Sequence, residues 1–253
     1  MKGVLVTGAA RRVGAAIAEA LGADGWRVVV HYNSSADDAE ATAARIRDAG
    51  GEAITAQADL SAAGSIDGLF ATLDEDGIRL EALVNNASLF RNDTVASMTM
   101  GSWNDHLAVN LTAPVLLSKL FAERLEADTV GCIVNLLDNK VFATNPDFFS
   151  YTISKLALQG ATETLALAFA PRVRVCGIAP GITLISGKQT RESFERAHRL
   201  NPLGRGCTPD QIVGAVRFVL ATPALTGHTI VIDGGESLQR PGRDVSYRAR
   251  GPA

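Results

Sequence analysis

The chain has 253 residues, 47% of them hydrophobic and 20% charged, enough for one large α/β domain or two small ones with a substantial core. A net charge of −3 gives no reason to expect nucleic-acid or anionic-membrane binding, and no apolar run reaches the roughly 18 residues that span a bilayer. Met1-Lys2-Gly3-Val4-Leu5-Val6 runs directly into a strand pattern and is too short for a signal-peptide h-region, so the cytoplasm is the expected compartment.

Val4-Leu5-Val6 reads as the first strand, and residues 12–24 as a helix with Val13, Ile17, Ala20 and Leu21 on one face. A strand at 26–30, an Ala-rich helix at 36–49, a strand at 53–56 and a helix at 66–73 follow. Leu83-Val84 leads into a long helical stretch over 102–125, then an apolar strand at 132–137. A helix over 150–170, a strand at 173–178, shorter helices at 191–200 and 209–220, and a last strand at 229–232 complete the pattern. Nearly continuous apolar strands separated by helices predict a parallel sheet covered on both faces: one doubly wound α/β domain with seven strands. Cys132, Cys176 and Cys207 lack paired metal spacing, so no metal is expected, and the two in strands read as buried thiols. The domain is taken as residues 1–238. The tail, 239–253, carries Arg240, Arg243, Arg248 and Arg250 and reads either as a solvated end or as an arm over a substrate site, its own or a neighbour's.

Thr7-Gly8-Ala9-Ala10-Arg11-Arg12-Val13-Gly14 stands where the first strand turns into a helix. Glycine permits close approach of the backbone, and the helix N-terminus offers free N–H groups to a phosphate. The second strand ends in His31-Tyr32-Asn33-Ser34-Ser35, without the Asp or Glu that accepts from an NAD ribose. Asn33, Ser34 and Ser35 are donors suited to a 2′-phosphate, with Arg11 or Arg12 to neutralise it, so the expected cofactor is NADPH. Asp59-Leu60 closes the third strand; Asp59 can cap the following helix, a role open to Ser61 as well.

Tyr151 and Lys155 lie one helical turn apart, and Asp138 stands thirteen residues before Tyr151. An ammonium beside a phenol lowers its pKa, whereas an ionised aspartate raises it, so Tyr151 and Asp138 are expected to share a proton. Tyr-x-x-x-Lys with a polar residue thirteen positions upstream resembles the active site of the short-chain dehydrogenase/reductases, in which the upstream residue is mostly serine. An ionised aspartate can only accept hydrogen bonds. Asp138 therefore disfavours a ketone oxygen and favours a substrate with N–H donors or a nitrogen to protonate. Aspartate here resembles the pteridine-reductase branch of that family.

The resemblance covers residues 2–238 and implies a single Rossmann-type domain. Arg12 stands at the middle glycine of the family's loop, where it would contact both the cofactor pyrophosphate and a substrate ring. Gly8, Val13, Gly14, Asn86, Ala87, Pro180, Gly181 and Ile182 would line the cofactor, Asp59 and Leu60 would contact its adenine instead of Asp59 capping a helix, and Lys155 would bond its ribose. Asn110 would support a water chain to Lys155. Ser88 and Phe90 would meet the substrate, Phe90 by stacking, with Phe148 and Phe149 as a further apolar wall. The stretch through Lys188 and Gln189 would be a mobile substrate loop, and the helices over 102–125 and 150–170 would pair subunits into a homotetramer. The implied activity is NADPH-dependent reduction of a dihydropterin, such as dihydromonapterin or dihydrobiopterin, or of dihydrofolate. A carbonyl or polyol oxidoreductase of the same family is the alternative, and a non-catalytic NADP(H)-sensing module a second one, disfavoured by the intact Tyr151, Lys155 and Asn110.

Overall fold

Each apolar run in the sequence becomes a strand, and the helices between them must return the chain to the same edge of the sheet. The computed structural model describes residues 2–186 and 189–249. Among these the strands are β1 (Gly3–Val6), β2 (Arg27–Tyr32), β3 (Glu52–Gln57), β4 (Leu80–Asn85), β5 (Gly131–Leu136), β6 (Val173–Pro180) and β7 (Thr229–Ile232). They form one sheet of order β3-β2-β1-β4-β5-β6-β7, with every adjacent pair parallel. The helices are α1 (Arg12–Ala23), α2 (Ala36–Asp48), α3 (Ala63–Glu75), α4 (Met100–Leu107), α5 (Ala113–Arg124), α6 (Phe149–Phe169), α7 (Arg191–Ala197), α8 (Pro209–Ala221) and α9 (Val245–Arg248).

The period-2 alternation of the strands separates two cores. Val4, Val6, Val28 and Val30 pack on one face against Ile17 and Leu21 of α1 and Ile212 and Val216 of α8. Leu5, Val29, Leu83 and Ile133 pack on the other against Leu69 and Phe70 of α3 and Leu117 and Phe121 of α5. Cys132, Cys176 and Cys207 are free and buried.

The helix expected over 102–125 is divided. A wide π-turn, Ala108–Thr112, joins α4 to α5. Pro114 lies in the first turn of α5 and has no N–H to give the carbonyl of Asn110, so the backbone widens where the regular ladder is interrupted. The last described residues form a short turn (Glu236–Gln239) and α9, and Val245 of α9 and its C-cap Ala249 pack against Ala197 of α7. No helix of the described residues is long and apolar enough to cross a membrane.

Because all strands point one way, their C-terminal ends share one edge. The chain winds outward in opposite directions from β1 and β4, which opens a crevice at that edge between them. Phe121 is 1% exposed and anchors the α5 face of the sheet. Phe121→Ala should destabilise the fold by about 3–5 kcal/mol, the usual scale for truncating a buried phenylalanine. Denaturant unfolding that detects a loss under about 1 kcal/mol would show that this layer is not part of the cooperative core.

Candidate active site

The crevice is a single cavity of about 1310 Å³ running from the β2 end to the C-terminal segment. That exceeds the ~300–1,000 Å³ of a site for one small ligand, and leaves room for a dinucleotide together with a second molecule.

The floor of one end is the glycine loop. Thr7 Oγ1 accepts from the backbone N–H groups of Asn86 and Ala87, and Asn86 Nδ2 donates to the carbonyls of Thr7 and Gly8. This ties the β1 and β4 ends together. Gly8 has φ of +62°, and a Cβ on Gly14 would lie 2.2 Å from the Gly8 oxygen, so the turn tolerates no side chain at Gly14. Beneath it His31 is 2% exposed and bonded on both ring nitrogens. The Gly8 N–H can only donate, so Nδ1 accepts at 3.0 Å and Nε2 must carry the proton given to Ala58 O at 3.1 Å. Burial pushes the His31 pKa down to about 4, against the opposing bond to Ala58. His31 was not singled out in the sequence; a strand histidine carries no such signal until its partner is known.

Arg12 occupies a left-handed conformation, φ +58°, which explains why glycine suits this position. Its Nη1 donates to Ile185 O at 2.6 Å, so the guanidinium reaches across the cavity to the loop after β6. Arg11 instead pairs with Asp38 in the first turn of α2. Asn33 lines the cavity, whereas Ser34 and Ser35 fall just outside its lining. Asp59 and Leu60 line it too. Neither Asp59 nor Ser61 caps α3, whose N-cap is Ala62 without a side-chain bond; Asp59 Oδ1 accepts from Ser61 N and Oγ, which holds its carboxyl below the usual range. Val13, Ala87, Pro180, Gly181 and Ile182 also line the cavity. Lys188 lies outside the described residues, as does Arg250 of the tail.

At the other end Tyr151 Oη donates to Asp138 Oδ2 at 2.7 Å, while Asp138 Oδ1 accepts from Lys140 N at 2.8 Å. Burial raises the Asp138 pKa, and the bonds from Lys140 and Tyr151 oppose it. Burial also pushes Tyr151 well above its ordinary value, and Asp138 adds to this. The lowering expected from Lys155 is thus not what the geometry produces. Lys155 Nζ donates to Leu136 O at 2.7 Å and stands 5.9 Å from the Tyr151 ring centre, whereas the acid is in direct contact. Burial lowers Lys155 to about 8, with Asp138 opposing.

Asn110 is fully buried and does not line the cavity. Its side chain accepts from Leu89 N and Ser88 Oγ and donates to Leu89 O and Ser154 Oγ. Both amide hydrogens are occupied, so in this arrangement it fastens the Ser88–Phe90 segment to α6 rather than reaching Lys155. Phe90 stacks on Phe148 with ring centres 4.4 Å apart and meets Tyr151 edge-on at 4.6 Å. Phe148 is the N-cap of α6, in a left-handed conformation, and caps nothing with its side chain. Asp93 does this instead, accepting from Ser150 N through Oδ1 and from Phe149 N through its carbonyl. Phe149 turns away to Trp103.

The tail folds back on its own chain. Lys140 Nζ donates to Asp244 Oδ2 and Asn145 Oδ1, both at 2.8 Å, in a buried pair. Asp147 receives Arg243 Nε and Asp244 N. Asp244, Val245 and Tyr247 thereby wall this end of the cavity, so of the two readings of the tail the structure has the arm over its own chain.

Known proteins are similar to this chain in sequence and fold. The family model described as short chain dehydrogenase matches residues 2–196. The FolM alternative dihydrofolate reductase 1 of Brucella canis, solved in complex with NADP, is 45% identical, covers 94% of each chain and superposes with a TM-score of 0.90. Pteridine reductase 1 of Leishmania tarentolae is 34% identical over 93% of this chain and 96% of its own. A 3-oxoacyl-[acyl-carrier-protein] reductase of Synechocystis sp. is 34% identical over 91% of this chain and 95% of its own.

The His31 geometry fixes an acid response. Its folded pKa, about 4, lies below the unfolded value near 6.5, so its contribution to stability is present above pH 6.5 and is lost as the pH falls towards 4. The loss should reach about 3 kcal/mol by pH 4. His31→Gln keeps one acceptor and one donor without the titration, and its stability should fall less steeply over that window. Identical slopes in urea unfolding series at pH 7, 5.5 and 4 would contradict the neutral histidine.

Proposed function

The chain belongs to the short-chain dehydrogenase family, and on that premise we propose that it is an NADPH-dependent pteridine reductase, acting on a dihydropterin or dihydrofolate. The carrying observation is the Asp138 carboxyl, bonded to Tyr151 at 2.7 Å in the cavity wall. An acceptor at this place suits a ring N–H and disfavours a carbonyl oxygen that gains charge. The stacked Phe90 and Phe148 beside it offer a flat apolar face to a planar heterocycle. The dihydrofolate reductase and pteridine reductase among the similar proteins support the same substrate class.

NADPH supplies a hydride when bound. The Gly8–Gly14 loop and the α1 N-terminus would hold its pyrophosphate, and Asn33 its 2′-phosphate end. Asp38 is paired with Arg11, and neither it nor Asp37 lines the cavity where a 2′-hydroxyl would sit. Reduction of a C=N bond of the substrate would leave the electron pair on its nitrogen, which then needs a proton. Tyr151, neutral by burial, gives that nitrogen its proton, and Asp138 orients the phenol. The phenol is reprotonated from solvent through the cavity. Lys155, held by Leu136 O, would bond the ribose.

One observation favours a second reading, carbonyl reduction. Burial raises Asp138, and a protonated Asp138 is itself a donor to a carbonyl oxygen. Such activity would fade as the pH rises and Asp138 ionises. We place the enzyme in the cytoplasm, and as a homotetramer in which the exposed Leu167 on α6, one of the helices expected to pair, would be covered.

Catalytic efficiency should favour NADPH over NADH by at least about tenfold, since one charge-assisted phosphate contact is worth about 1.5 kcal/mol or more. Equal efficiencies in steady-state assays would remove the 2′-phosphate from the account. Asp138→Ser should lower dihydropterin reduction by about 10²-fold, the scale of one acid–base contribution, while ketone reduction holds or rises. Thermal unfolding measured alongside separates this from a structural loss, in which both activities fall with stability. A wild-type enzyme that reduces ketones and no dihydropterin overturns the proposal.

A further inference from the structure

Beyond Asp138 and the ion-paired Asp244, the cavity is lined by a further buried acid that the reaction does not use. Glu236 opens the turn after β7 and is 8% exposed. It borders the cavity, with Oε2 only 3.3 Å from where a Cβ on Gly181 would lie, and its carboxyl bonds the side chain of Asn139, next to Asp138. Among the described residues it forms no ion pair. The nearby cation, Lys140, is already held by Asp244 and Asn145. The charged groups that face Glu236 are acids: Asp138 from the turn after β5, Asp244 from the tail and Asp233 from the end of β7. Glu236 and Asp244 line the cavity together with Asp138, so a substituent that extended from a ring held at Asp138 towards the tail would meet them.

We infer that Glu236 is a specificity-determining residue, which accepts a hydrogen bond from a neutral hydroxyl or amino substituent of the substrate and repels a carboxylate there. The inference rests on the pterin reading above for the ring, and on the cavity geometry for the substituent. Burial, reinforced by Asp138 and Asp244, raises the Glu236 pKa to about 7. The sign of the pH effect follows. Above pH 7 the carboxylate accepts from a hydroxyl and repels an anion; below it the carboxyl is neutral and repulsion from this residue fades. A substrate carboxylate keeps its charge throughout, its own pKa being near 4.

Two oxidised pterins that differ only in the 6-substituent, hydroxymethyl or carboxylate, make the test, with calorimetric binding to the enzyme–NADP⁺ complex at pH 6 and 8. The ratio of the two dissociation constants cancels whatever the shared ring does. In the wild type the hydroxymethyl compound should bind about tenfold tighter at pH 8, and the preference should shrink at least about threefold at pH 6, as one acid neutralises. Glu236→Gln should give a ratio near the wild-type pH 6 value at both pH values, with NADP⁺ affinity unchanged. Glu236→Met serves if the glutamine variant does not fold, with the same flat ratio expected. A wild-type ratio indifferent to pH, or a pH response retained in the variant, overturns the inference and assigns the discrimination, if any, to Asp138 or Asp244. A wild type that binds both ligands but reduces no dihydropterin overturns the proposed function alone, because the binding ratio still decides the role of Glu236. Binding of neither overturns both.

Discussion

The bond from Tyr151 to Asp138 is the constraint around which the site is arranged. A phenol and a carboxyl at 2.7 Å, both removed from water, cannot both be ionised: burial and mutual repulsion each oppose the second charge. The pair therefore holds a proton that it can deliver. Keeping it so requires α6 to start at a defined angle and the turn after β5 to hold Asp138 still. The first is secured by Asp93, which supplies the cap that Phe148 cannot give, and the second by Lys140 N on the other carboxylate oxygen. Asn110 adds a third fastening, joining the Leu89 backbone to Ser154 within the same first turns of α6.

The same logic explains the charge distribution around the Asp138 end of the cavity. Asp138, Asp147, Asp244 and Glu236 lie close together, and the cations among them are assigned: Lys140 to Asp244, and Arg243 to Asp147. Removing one partner of a buried pair leaves an uncompensated charge and typically costs about 3–5 kcal/mol. The C-terminal segment is thereby bound to the catalytic turn by charge as well as by the contacts of Val245 and Ala249. Glu236 forms no ion pair among the described residues, and burial, with Asp138 and Asp244 beside it, raises its carboxyl towards neutrality.

The cofactor end is built differently, from backbone rather than charge. Thr7 and Asn86 bridge the ends of β1 and β4, and a neutral His31 supports the Gly8 amide from below. Strain is accepted at Arg12, where a left-handed residue with a full side chain replaces the permissive glycine. The return is a guanidinium that spans the cavity to Ile185.

Local sequence determined the parallel sheet, because seven apolar runs spaced by helical patterns have one economical arrangement, and all seven strands pair as that arrangement requires. It also determined which side chains border the crevice wherever they follow directly from a strand end: Gly8, Asn33, Asp59, Asn86, Asp138 and Pro180 all do. Fixed helical spacing placed Tyr151 and Lys155 on one face. Tertiary structure decided the rest. The pKa order of Tyr151, Asp138 and Lys155 depends on burial and on which partner is nearer, neither of which spacing contains. The division of the helix at Ala108–Thr112, the cap from Asp93, the histidine under the glycine loop and the closure by the tail all join residues far apart in the chain. Asp244 meets Lys140 across 104 residues and His31 meets Gly8 across 23. Such contacts depend on the path of the whole backbone, and no local pattern of residue types records them.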